Sequence, residues 1–211
     1  TDLVNDVKPS ASNIVSSKMF GGRSSAGRAG ALKSYGGSVA GQQTLHKALN
    51  WLAKVQNPDG TWGSGHPEAM TSLAILTFLA HGETPKSKKF GTHVSKGIAK
   101  LAEWGKAKNF PIGKSGTRNV YEHALVAYAL SEAYAMTGNY ALQEAMDNTI
   151  QFICDKQHPN GGYFYGYKND GPSNFSNACW NWQALKAAKA AGCSVSNLPS
   201  TIEKSIAHMK K

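Results

Sequence analysis

From residue 42 onward, apolar positions recur with helical spacing. Leu45, Ala48, Leu49, Leu52 and Ala53 fall on one face, which Trp51 and Val55 widen. A second helix is predicted from His66-Pro67-Glu68. Proline suits the first helical position, and Glu68 complements the positive end of the dipole. It carries Met70, Leu73, Ala74, Phe78 and Leu79 and stops at Gly82. A third runs through Val94, Ile98, Leu101 and Ala102. A fourth opens at Asn119-Val-Tyr-Glu122, resembling a capping box, and stops at Gly138. A fifth carries Leu142, Ala145, Met146, Ile150 and Ile153. A sixth, ACWNWQALKAAKAAG, stops at Gly192. A seventh comes after Leu198-Pro199, with Ser200 and Glu203 spaced as a capping box.

The even-numbered helices share an ending. Gly82, Gly138 and Gly192 each sit just past one, at intervals of about 55 residues, the mark of repeated helical hairpins. The turns of the first and third hairpins also match. ALNWLAKVQNPDGTW aligns with TIQFICDKQHPNGGY, pairing Gln56 with Gln157, Gly60 with Gly161 and Trp62 with Tyr163. The middle hairpin keeps the helix and loses this turn. The expected role is structural. Gln56 sits where helix carbonyls run out and its amide can donate to them. Asn57-Pro58-Asp59-Gly60 reverses the chain, and the Trp62 ring is placed to cover the glutamine amide and the start of the next helix. The turn supplies no nucleophile or acid–base pair.

Residues 1–41 differ from the rest. They are rich in Gly, Ser and Arg, with five basic and two acidic residues, and read as a disordered linker or tail. The repeat domain is assigned to 42–211. The net charge of +10 rests mostly on dispersed lysines, which argues for a solvated basic surface and against nucleic acid. No run is long and apolar enough for a transmembrane helix, and no signal peptide is visible. Three cysteines make no disulfide framework. Cys179 and Cys193 lie about 21 Å apart along one predicted helix, too far to bridge, and reduced thiols favour a reducing compartment.

These turns resemble the QW repeat of the terpene cyclase/prenyltransferase superfamily, and the chain is similar to bacterial squalene cyclase-like proteins with prenyltransferase/squalene oxidase repeats. ALNWLAKVQNPDGTWG, AMTSLAILTFLAHGETPKSKKFG, VYEHALVAYALSEAYAMTGN and WNWQALKAAKAAG carry the likeness. The resemblance implies an all-α fold of helical-hairpin repeats, an α/α toroid whose inner ring comes from helices two, four and six. About seven helices fall short of a full ring, so a partial or open toroid is expected. The rest of a larger parent chain, or a self-association partner, would complete it.

The family's aspartate-rich acid motif has no counterpart here. The equivalent stretch before helix six holds Ser173-Asn174-Phe175-Ser176, with Asp170 the nearest acid. The catalytic candidates are Asp170, Glu122 and His123, although Glu122 and His123 diverge on a helix. The aromatic candidates for an apolar ligand are Tyr121, Tyr128, Tyr165, Trp180 and Trp182. No metal-ligand spacing and no cofactor motif is seen. The expected function is a binding module with an apolar inner face for an isoprenoid-like ligand. A terpenoid cyclase or prenyltransferase-type enzyme is the alternative.

Overall fold

The computed structural model describes residues 20–107, 110, 119–168, 171 and 173–210. Among them are eight α-helices and no strand. They are α1 (Ser25–Tyr35), α2 (Val39–Lys54), α3 (Pro67–Ala80), α4 (Gly91–Lys106), α5 (Asn119–Thr137), α6 (Gln143–Asp155), α7 (Phe175–Ala191) and α8 (Leu198–Met209). Short 3₁₀ turns lie at Gly21–Arg23, Tyr140–Leu142 and Tyr165–Tyr167.

The helices form two layers, and sequence explains which goes where. Helices α2, α4, α6 and α8 are amphipathic, with one apolar stripe each. Helices α3 and α5 are apolar on most sides and must be covered by several neighbours, whereas α7 buries its alanines and sets Gln183, Lys186 and Lys189 toward solvent. Accordingly α5 packs most extensively on α7 and α3, and also on α4 and α6. The outer helices α4 and α6 pack on each other, and α8 lies against α6 and α7. Small residues allow the close approach at the centre. Ala124, Ala127, Ala129 and Ala133 of α5 are completely buried. The hairpins are therefore arrayed α3–α5–α7 inside and α4–α6–α8 outside, with α2 against α3.

Several boundaries depart from the sequence reading. Much of the described part of segment 1–41, expected to be linker, is helical. Ser24 caps α1 through Gly27 N–H at 3.0 Å, and Ser38 caps α2 through Gly41 N–H at 3.0 Å. Helix α1 is the addition to the seven expected. It has no apolar stripe and buries no residue, which is why periodicity did not reveal it. The capping box expected at Ser200 does not form. Helix α8 starts two residues earlier, and the Ser200 hydroxyl donates to the Asn197 carbonyl. At α5, Glu122 reaches His66. The glycine endings hold: Gly82, Gly138 and Gly192 all have positive φ.

Candidate functional site

The two matched turns have the same construction. In the first, Asn57 N–H donates to Thr61 O and Gly60 N–H to Asn57 O. In the second, His158 N–H donates to Gly162 O and Gly161 N–H to His158 O. Asp59 accepts from Thr61 N–H and Asn160 from Gly162 N–H, both at 3.0 Å. Gln56 Nε2 donates to Gly60 O and to His93 O of α4, each at 3.0 Å. Its Oε1 lies 2.6 Å from His93 Nδ1. Gln157 Nε2 donates to Gly161 O at 3.1 Å and to Thr201 O of α8 at 2.9 Å.

The glutamines thus reach across to the next outer helix, and do not serve the expiring carbonyls of their own helix as expected. That role falls to the indole, since Trp62 Nε1 donates to Leu52 O in the last turn of α2 at 2.8 Å. Gly60 and Gly161 have φ of +94° and +91°. A Cβ on Gly60 would lie 2.8 Å from Lys96 O of α4. Trp62 and Tyr163 are buried in the core.

The ligand and catalytic candidates separate into three places. At the N-terminal ends of the inner helices, Tyr121 OH and Ser176 Oγ are 2.7 Å apart, and the Tyr121 and Tyr165 rings have centroids 6.2 Å apart. Hydrogen bonding to Tyr121 raises the Tyr165 pKa. Phe175, at the start of α7, is 70 % exposed and meets the Trp182 ring edge-on at 5.9 Å. Asn174 caps α7 through Asn177 N–H. Trp180 is half-buried on α7. Glu122 pairs with His66 Nδ1 at 2.7 Å, bridging α5 to the start of α3.

Two turns along α5, Tyr128 shares the helix stripe of Tyr121, Leu125, Glu132 and Met136. Helix α5 has neighbours in α3, α4, α6 and α7, and this stripe holds half-buried Tyr121, Tyr128 and Met136, while Glu122 and Thr137 are half-buried beside it. Burial, with the Glu132 carboxylate beside it, pushes the Tyr128 phenol up to about 12.

His123 points elsewhere and is completely buried. Its Nδ1 lies 2.9 Å from Tyr167 OH, which donates to Asn181 Oδ1 at 2.8 Å. Asn181 Nδ2 donates to Asn177 O at 2.9 Å. This chain assigns the tautomer. The Asn181 amide orientation makes Tyr167 the donor, so His123 carries its proton on Nδ1. Among the described residues its Nε2 has no hydrogen-bond partner, and the ring is packed by Phe110, Phe152 and Tyr167. Burial pushes its pKa down to about 3, so the imidazole is neutral near pH 7. Phe110 and Phe152 also line a cavity of about 370 Å³ between α4 and α6.

Glu122 and His123 therefore face different surroundings and form no dyad. Asp170 lies outside the described residues. Among the described residues no three His, Cys, Asp or Glu side chains are grouped to hold a metal ion, and the three cysteines are free. No described helix is long and apolar enough to cross a membrane. The Tyr167–Asn181 chain escaped sequence reasoning. Asn177 and Asn181, spaced one turn apart in an apolar helix, were its readable signal. No family model, curated protein or solved structure matches this chain.

Proposed function

We propose that the chain is an α/α-toroid repeat module of the squalene cyclase/prenyltransferase-like class, an open arc that binds an apolar, isoprenoid-like ligand along its inner face. The observation that carries this reading is the inner stripe of α5. A helix enclosed by four others keeps Tyr121, Tyr128 and Met136 in reach of solvent, and Tyr121, Tyr165 and Phe175 form an aromatic mouth at one end. Apolar pockets with a few placed polar groups are the usual form of small-molecule sites. An arc of this kind also offers its open edges to a second copy or to further repeats.

Binding without turnover is favoured by the state of the nearby acids. Glu122 is engaged with His66 and Glu132 with Arg23, so neither is poised as a proton donor. The alternative is an enzyme acting on isoprenoid substrates.

Titration with farnesol, monitored by intrinsic Trp and Tyr fluorescence, tests the reading. Saturable binding should appear and weaken about fivefold in Tyr121→Ala, the loss of roughly 1 kcal/mol of aromatic contact. Equal affinity in the variant, or no saturation, would contradict it. Conversion of squalene or a prenyl diphosphate, abolished in Asp170→Asn, would establish the enzyme instead.

A further inference from the structure

The far end of the α5 stripe is covered by the chain itself. Arg23 Nη1 and Nη2 contact both Glu132 carboxylate oxygens, at 2.8 and 3.2 Å, and Nη1 lies 3.3 Å from Met136 Sδ. The Glu132 side chain is only 6 % exposed. The Arg23 guanidinium also sits 4.5 Å over the Phe20 ring, which is itself buried in the core. Arg28 donates to the Arg23 and His81 carbonyls, and a Cβ on Gly82 would collide with the Arg23 carbonyl. Residues 20–28 thus press against the C-terminal end of α3 and the Glu132–Met136 turn of α5.

Beyond this anchor the chain is held weakly. Helix α1 buries no residue, and its stripe pattern offers no apolar face to dock. The buried Phe20, the Arg23–Glu132 pair and the Arg28 hydrogen bonds therefore secure the whole segment. Regions with few buried apolar contacts are those that open locally at small free-energy cost.

We infer that residues 20–35 form a detachable strap that competes with the ligand for the inner face, closing the Tyr128–Glu132–Met136 end while the Tyr121–Tyr165 mouth stays open. This deepens the proposal of an apolar ligand on the inner face and rests on it. The Arg23–Glu132 pair is the latch. Removing Arg23 alone would leave a buried carboxylate unpaired, which is strongly unfavourable. Removing both charges leaves the surface neutral and the strap held only by Phe20 and Arg28.

The test compares the full chain with Arg23→Gln/Glu132→Gln and with Arg23→Gln alone. Limited trypsin digestion reads strap release by the rate of cleavage at Arg28 and Lys33, and farnesol titration reads access to the face. The double variant should be cut faster and bind farnesol about tenfold more tightly, as expected if a closed state populated about nine-tenths of the time is abolished. Faster cleavage with unchanged or weaker farnesol affinity would overturn the strap while leaving the binding reading intact. Unchanged cleavage in both variants would overturn the latch. No saturable binding in any variant would overturn the binding reading, and with it the competition.

Discussion

His123 shows how much one residue's surroundings can decide. The sequence offered it as a catalytic candidate beside Glu122, although neighbours on a helix diverge. Its position in the fold removes it from water and fixes its tautomer through Tyr167 and Asn181. The adjacency was legible in the sequence and its meaning was not, because the partners lie 44 and 14 residues along the chain from one another. The same burial has a thermodynamic consequence. The pKa falls from an ordinary 6.5 to about 3, so the unfolded chain takes up a proton that the folded chain refuses. Above about pH 7 this site adds no pH dependence. Between pH 7 and pH 4 it should cost about 3 kcal/mol of stability. Urea unfolding of the native chain should therefore lose more stability over that range than His123→Gln, which keeps a polar partner for Tyr167. Parallel pH curves for the two proteins would contradict the burial argument.

At the scale of elements, the inner and outer helices were legible because their apolar patterns differ in kind. An all-round apolar helix needs neighbours on several sides, while an amphipathic one can close the outside. The terminal glycines marked the inner helices correctly. Helix α1 was missed because a helix that buries nothing leaves no stripe to read. The turns were recognised as clasps, yet the partners of Gln56 and Gln157 could not be, since His93 and Thr201 belong to helices two elements away.

Two glycines separate the conformational and steric demands of these elements. Gly161 has φ of +91°, and a Cβ there would run into the Lys204 carbonyl of α8. Gly192 has φ of +77° with nothing within 4 Å. Gly192→Ala should cost about 1 kcal/mol, the strain of a left-handed alanine. Gly161→Ala should cost about 3 kcal/mol, because the turn must also retreat from α8. Both are read from urea midpoints, and equal losses would show that the turn and α8 are not in close register.

At the scale of the whole molecule, three inner helices and their outer partners make an array in which each hairpin gains a covered face from the next. The likeness to a toroid came from the turns, and the turns prove to be where one hairpin is tied to the next. The farnesol titrations test the proposed binding of an apolar ligand along the Tyr121–Tyr128 stripe and the proposed release of residues 20–35.

The tie itself can be measured alone. A double-mutant cycle on Gln56→Ala and His93→Ala, by urea unfolding, isolates the side-chain contact of Gln56 Oε1 with His93 Nδ1 that joins the first turn to α4. The clasp predicts a coupling of about 1 kcal/mol, the worth of a well-formed, partly buried hydrogen bond. Additive losses, with no coupling beyond error, would mean that the glutamine and histidine side chains act separately and that their contact does not tie the first turn to α4.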